Sequence, residues 1–366
     1  MSNPLADELA RFDPTRPLDA ARTIPNTWYT SPEVADAERR AVFGSTWQMV
    51  GRAEQVAGPG SYLTADVGGE PVLVVRGEDR VLRAFFNVCR HRAAPILNEP
   101  CGSATRLRCR YHGWTYDLAG KLRGTPEFDG VAEFRKEDNG LVPVAVGTAV
   151  GLVWVHLDPP AGALEEYLAP LPAWAAGRFD GLTFGRRVEY DLGCNWKVYV
   201  DNYLDGGYHV NTVHPALAGV LDYSGYKTTL HANASVQTSP MKAGDPTDPA
   251  ARTRTGTEAN YWWVFPNFML NAYAGVMDTN LVVPLGPDRC RVIFDYYFAA
   301  DATEDFVRDS VAVAHQVPLE DVGICEEVQH GLSSRSYTAG RFSVKREAGG
   351  YHFHRLLAGR LASGVA

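Results

Sequence analysis

The chain predicts an α+β protein built in two parts. Three observations carry that expectation. Short β-rich runs separated by Gly and Asp turns fill the stretch from Trp47 to Leu157. A second set of strand-like runs lies between Arg186 and Phe298. One long helical segment, from about Asp305 to Gly331, follows the strands instead of alternating with them, which is the order of an α+β fold. With 366 residues the chain is long enough for two domains, each with its own core.

Residues 1–45 read as an arm and a helix. Ser31-Pro32-Glu33 sets a capping hydroxyl before a first-turn proline, and Val34 to Val42 continues the helix. Residues 46–158 read as a small all-β domain, with runs starting at Trp47, Ser61, Pro71, Val81 and Leu152. Asp158 and the Pro-Pro-Ala-Gly that follows it form a breaker cluster and the expected boundary. Residues 159–366 open with a short helix, Ala163 to Leu168, and a strand, Arg186 to Leu192. Asn195 to Val213 reads as a helix because Trp196, Val200, Tyr203 and Tyr208 recur at near-helical spacing, with Gly206-Gly207 expected to distort it. Strands are expected from Tyr261 to Phe265, Phe268 to Asn271, Thr279 to Val283 and Cys290 to Phe298, and a polar loop from Ala243 to Gly256.

Composition excludes several classes. Hydrophobic residues make up 45% of the chain and charged residues 21%, the balance of a globular protein and not of a disordered one. No apolar run approaches membrane-spanning length. The first residues carry early acids and no apolar core, unlike a secretory signal or an organellar transit peptide, so a cytoplasmic location is expected. A net charge of −8 argues against nucleic acid as a partner. Six cysteines are too few for a disulfide scaffold of this length. Cys101, Cys194, Cys290 and Cys325 are expected to be buried, reduced thiols.

The other two cysteines arrive with histidines. Cys89-Arg90-His91 is followed, seventeen residues later, by Cys109-Arg110-Tyr111-His112-Gly113-Trp114. Zinc sites usually pair like with like, as C-x2-4-C and H-x3-5-H; here each loop mixes one thiol with one imidazole. That is the ligand pattern of a Rieske [2Fe–2S] cluster, in which two thiolates hold one iron and two neutral imidazoles the other. Between Arg80 and Arg123 stand nine basic residues against Glu99 and Asp117. Such a patch suits docking of an acidic electron carrier near Arg90 and Arg110; local pairing and screening of cluster charge is the other reading.

His209 and His214 stand five residues apart in Asp201-Asn202-Tyr203-Leu204-Asp205-Gly206-Gly207-Tyr208-His209 and its continuation. Alone the pair is weak. Beside a one-electron cluster, two imidazoles with one carboxylate suggest a mononuclear non-haem Fe(II) with open positions. Glu320, Asp321, Glu326 and Glu327 on the final helix supply carboxylates, and spacing alone does not choose among them.

On these motifs the chain resembles the Rieske non-haem iron oxygenase α subunits along essentially its whole length. The strings Asp201 to Val210, Phe265 to Asn271, Met277 to Pro287, Glu320 to Glu326 and Tyr351-His352-Phe353-His354 are similar to choline monooxygenase and its bacterial relatives. The resemblance implies a helix-grip catalytic domain and a homotrimer. It implies a [2Fe–2S] cluster on Cys89, His91, Cys109 and His112, and Fe(II) on His209, His214 and Asp321. It also implies an electron bridge to the neighbouring subunit through Asp205, Asn202 as a second catalytic residue, and O2 as co-substrate. Asp205 stands four residues before the first histidine, where many ring-hydroxylating members have three. The plainer reading of Asp205 is a turn residue before Gly206. No G-x-G-x-x-G follows a strand, so NAD(P)H is expected to act only through a separate reductase or ferredoxin.

The substrate that the resemblance implies is a quaternary-ammonium compound, hydroxylated in the manner of choline. N-demethylation or C–N cleavage of a betaine or carnitine, and aromatic-ring hydroxylation, are the alternatives. A trimethylammonium group accepts no hydrogen bond and is held by aromatic faces. Tyr203, Trp263, Phe265 and Tyr273 are the expected pocket residues; an ordinary aromatic core explains each of them as well.

Overall fold

In the computed structural model, which describes residues 4–158, 162–242 and 249–365, the chain folds into two compact units. One is Phe43–Tyr167; the other joins Met1–Val42 to Leu168–Ala366. Residues 159–161 of the expected boundary and 243–248 of the expected polar loop lie outside the described residues.

The smaller unit is all-β. Seven strands form an antiparallel sheet in the order Gln48–Arg52, Leu152–His156, Pro143–Ala149, Leu82–Phe86, Glu70–Arg76, Ser61–Val67 and Cys101–Ser103. Val72, Leu73, Val74 and Val75 are all fully buried. Val72 and Val74 enter one apolar cluster, Leu73 and Val75 another, which explains an unbroken apolar run where a half-exposed strand would alternate. A small sheet of Leu107–Arg108, Thr115–Tyr116 and Leu122–Gly124 stands on the second cluster. Cys89 and Cys109 are part of that same buried cluster. Cys101 departs from expectation: it lies exposed on a short edge strand, while the other five cysteines are buried.

The larger unit holds the second seven-stranded sheet. Its order is Leu182–Leu192, Cys290–Ala299, Val276–Pro284, Phe268–Tyr273, Glu258–Val264, Ala234–Pro240 and Lys227–Leu230, antiparallel throughout. The long helix Glu304–Leu332 packs against the helix Trp196–Tyr203 and the strand Leu182–Leu192. Thr303 caps its start by accepting from the Phe306 N–H. Its buried positions Asp321, Cys325, Gln329 and Leu332 recur at helical spacing and make one inward stripe.

Two helical expectations change. The helix expected from Asn195 to Val213 ends at Tyr203 and resumes at Val210–Val213. Gly206 and Gly207 both adopt φ of +71°, a left-handed conformation that cannot continue a helix. A further helix, Ala348–Val365, spans a stretch for which no element was expected. Four glycines weaken its intrinsic propensity, and burial of Phe353, Leu357 and Leu361 along one face holds it. The Phe353 ring packs 5.5 Å from Trp196 and 5.7 Å from Trp263.

The helix Trp196–Tyr203 is held from several sides. Asn195 caps it by accepting from the Lys197 N–H at 3.0 Å. Lys197 Nζ meets Glu38 Oε1 at 2.7 Å with both side chains buried, and the Trp196 indole N–H donates to the other Glu38 oxygen. Tyr29 Oη donates to Asp201 at 2.6 Å, and His354 Nε2 lies 2.9 Å from the same carboxylate. Removing one partner of such a buried pair leaves an uncompensated charge, so the arm at residues 24–38 helps fix the helix that carries Asn202.

Candidate metal centres and cavity

In the smaller unit, two loops bring the Cys/His pairs together. Asn87 fixes the first loop: its side-chain carbonyl accepts from the Ile96 and Leu97 N–H groups, and its amide donates to the Leu97 carbonyl. Tyr116 Oη lies 3.5 Å from Cys89 Sγ and accepts from the Arg90 N–H at 3.1 Å. Burial raises the Cys109 thiol above its ordinary value, against the pull of the backbone N–H groups of Tyr111 and His112 on its sulfur. The His91 and His112 rings are 4.6 Å apart, and His91 stacks on Trp114 at 4.9 Å. Nδ1 of His91 is buried with no hydrogen-bond partner, although a buried ring nitrogen is normally satisfied. A lone pair aimed at a metal resolves that deficit. Two buried thiols and two neighbouring imidazoles fit a cluster that takes sulfur on one iron and nitrogen on the other. Among the described residues Arg83 pairs with Asp79 and Arg123 with Asp117, whereas Arg90 and Arg110 are exposed and form no ion pair.

In the larger unit, the break in the helix builds the second centre. Asp205 accepts from the N–H groups of Tyr208 and His209 and so caps the resumed turn. Its Oδ2 also lies 2.5 Å from His209 Nδ1. Asp205 therefore makes the turn contacts and the histidine contact together. Pro215, at the start of the helix Pro215–Val220, follows His214 directly. The two imidazoles converge, Nε2 to Nε2, at 3.0 Å.

Asp321 arrives from the inward stripe of the long helix. Its Oδ1 lies 3.0 Å from His214 Nε2 and 3.8 Å from His209 Nε2, and Asn202 Nδ2 donates to it at 2.8 Å. Among the described residues, His209, His214 and Asp321 are the one set of metal-ligating side chains whose ligand atoms all fall within 4.8 Å. Glu320 takes a different place, with Oε2 2.7 Å from Nδ1 of His214. Glu326 accepts from the Gly193 N–H, outside the site. Each imidazole thus presents Nε2 inward and keeps Nδ1 on a carboxylate, which fits a two-histidine, one-carboxylate metal site. Burial disfavours the His214 imidazolium, but Asp321 and Glu320 outweigh it and raise its pKa from the ordinary histidine value.

A cavity of about 120 Å³ opens beside this triad. Tyr203 and Tyr273 line it. Trp263 and Phe265 are not among its lining residues: both are fully buried and pack on Phe353 of the C-terminal helix. Tyr261 does line the cavity, yet Trp263, on the same strand face, is covered by that helix. Tyr226 and Tyr296 complete the wall from outside the expected set. Tyr203 Oη donates to Asn271 Oδ1 at 2.8 Å, and Asn271 and Asn280 each donate to Asp278 Oδ1 at 2.8 Å. Burial pushes the Asp278 carboxyl up to about 6, against the pull of the two amides. Asn271 and Asp278 fall within the matched strings of the sequence, but nothing local marks them as cavity residues.

Comparisons with known proteins agree with this architecture. Residues 46–135 match the Rieske [2Fe-2S] domain, and residues 179–363 match the ring hydroxylating alpha subunit (catalytic domain). The chain is 38% identical to a chloroplastic choline monooxygenase of Arabidopsis thaliana over 95% of its own length and 85% of that protein. It is 31% identical to the carnitine monooxygenase oxygenase subunit of Escherichia coli (strain K12), over 92% of this chain and 93% of that one. The structure of a quaternary ammonium Rieske monooxygenase in complex with L-carnitine superposes with a TM-score of 0.82 at 31% identity, over 93% of this chain and 96% of that one. Naphthalene 1,2-dioxygenase from Rhodococcus sp. shares the fold at 22% identity and a TM-score of 0.78. The chain belongs to the Rieske non-haem iron oxygenase α subunits, O2-using oxidoreductases that carry a [2Fe–2S] domain and a mononuclear-iron catalytic domain.

Proposed function

We infer that this oxygenase acts on a quaternary-ammonium compound, with electrons from a separate reductase or ferredoxin. The observation that carries the reading is the convergence of His209, His214 and Asp321 beside a cavity walled by tyrosines. The first reading of the reaction is choline-type hydroxylation at the carbon bearing the alcohol, after the plant relatives' names. The second is N-demethylation or C–N cleavage of a betaine or carnitine, favoured by a guanidinium at the cavity, that of Arg254.

Residues 46–158 form the cluster domain and residues 159–366 the catalytic domain in this proposal. Cys89 and Cys109 would hold one iron of the cluster and His91 and His112 the other. His209, His214 and Asp321 would hold Fe(II), which when bound supplies the open coordination positions at which O2 is reduced. Asp205 and Glu320 position the two histidines by taking their Nδ1–H groups; Asn202 orients Asp321. The tyrosine faces attract the cation and exclude water from it. The two metal sites lie on separate units of one chain, so a closed ring of three copies, each passing electrons to its neighbour through Asp205, is the assembly proposed. The exposed arginines around Arg90 and Arg110 are the proposed reductase dock. The proposed location is the cytoplasm; no helix among the described residues is long and apolar enough to cross a membrane.

Oxygen uptake and product formation, measured side by side with choline, glycine betaine, L-carnitine and biphenyl and a competent reductase, test the reading. Consumption of a trimethylammonium compound is expected. Turnover of biphenyl alone would overturn it.

A further inference from the structure

Among the described residues, three polar side-chain atoms on the cavity wall have no hydrogen-bond partner. Arg254 Nη1 is buried and makes no hydrogen bond, and the same holds for Tyr296 Oη and Ser310 Oγ. Tyr296 and Ser310 are only 2% and 6% exposed. All three line the cavity that holds His209, His214 and Asp321. The Arg254 guanidinium lies over the Tyr273 ring, 5.8 Å from its centroid. Its charge opposes the rise that burial imposes on Tyr261, Tyr273, Tyr296 and Asp278, so the charge faces the cavity and not only bulk solvent. Among the described residues no carboxylate forms an ion pair with it. Asp278, the nearby buried acid, is instead held by the amides of Asn271 and Asn280.

A guanidinium that is half-buried, with Nη1 fully buried and its N–H free, costs free energy unless a ligand completes it. Its fixed fork of donors matches a carboxylate, and two hydroxyl donors beside it suit the same anion. A neutral alcohol would leave the charge uncompensated. The tyrosine faces and Asp278 suit the opposite charge. We propose that Arg254, with Ser310 and Tyr296, forms a carboxylate subsite, so that the preferred substrate is a zwitterion carrying a quaternary ammonium at one end and a carboxylate at the other. The proposal rests on the quaternary-ammonium reading and chooses its betaine or carnitine branch over choline.

Calorimetric titration of the purified, metal-loaded protein with glycine betaine, L-carnitine and choline tests it. The wild type is expected to bind the two zwitterions more tightly than choline. In Arg254→Met the ratio of zwitterion to choline affinity should fall by about tenfold to a hundredfold, the range of a charge-assisted hydrogen bond. Arg254→Lys should restore part of that loss, and Ser310→Ala should lower the ratio severalfold. Cluster absorbance and thermal midpoint report whether each variant has folded. A ratio that stays within twofold of wild type in both Arg254→Met and Ser310→Ala overturns the subsite while leaving the quaternary-ammonium reading intact. A wild type that binds none of the three quaternary-ammonium compounds and oxidises biphenyl overturns that reading and the subsite with it.

Discussion

Oε2 of Glu320 lies 2.7 Å from Nδ1 of His214, while Asp321, the next residue on the helix, brings Oδ1 to 3.0 Å from Nε2 of the same ring. Adjacent carboxylates therefore serve the two ring nitrogens of one imidazole. Asp321→Ala should empty the mononuclear iron site while the cluster spectrum survives. Glu320→Gln should keep the site but weaken iron binding by about tenfold to a hundredfold, the usual cost of losing a partner that orients a ligating histidine. Iron per chain, measured after dialysis against graded chelator, separates the two. Full iron in Asp321→Ala and none in Glu320→Ala would move the ligand by one residue.

Asp205 should govern electron transfer more than metal loading. Its carboxylate takes His209 Nδ1 at 2.5 Å, and an asparagine amide turned toward that N–H would oppose it. In Asp205→Asn both metal sites should load. Reoxidation of the reduced cluster, followed by stopped-flow absorbance after adding substrate and O2, should slow by orders of magnitude. A wild-type rate would remove Asp205 from the electron path and leave it the turn role alone.

Gly206→Ala should damage the iron site through the backbone. A Cβ there would lie 2.1 Å from the Arg346 carbonyl oxygen, at a φ of +71°. Gly151 has the same φ, but nothing lies within 4 Å of its Cβ position. Gly151→Ala should cost about 1 kcal/mol of left-handed strain, and Gly206→Ala distinctly more. Thermal unfolding and iron content compare them; equal losses would mean that the Arg346 carbonyl yields without cost.

Asp278 should make stability fall as pH rises. Its carboxyl is raised from 3.8 to about 6 in the folded protein, so between those values the folded state binds the proton that the unfolded state has lost. The stabilisation is fully present below about pH 4 and lost above about pH 6, a change on the order of 3 kcal/mol. Asp278→Asn should abolish that component, and urea unfolding of both proteins from pH 4 to pH 7 measures it. Parallel stability profiles for the two proteins would contradict the raised value.

Much of the site was legible in local sequence because its chemistry is local. A thiol and an imidazole stand two or three residues apart on each loop, and two histidines stand five apart beside a double glycine, so the ligand types lie close together in the chain before any folding. The strand runs were legible because side-chain patterning follows burial. The C-terminal helix was not, because glycines at 349, 350, 359 and 364 argue against it and only Phe353, Leu357 and Leu361, buried against distant residues, hold it.

By itself the sequence determined the α+β class, the two Cys/His loops, the two histidines five residues apart and a distortion at Gly206-Gly207. Tertiary structure decided which acid of the long helix faces which ring nitrogen, since that depends on how the helix is rotated about its axis as it packs. It also decided that Trp263 and Phe265 belong to the core beneath Phe353, while Arg254, Tyr296 and Ser310 face the cavity. Those assignments depend on contacts between segments far apart in the chain, and no local pattern encodes which side chains a folded sheet leaves uncovered.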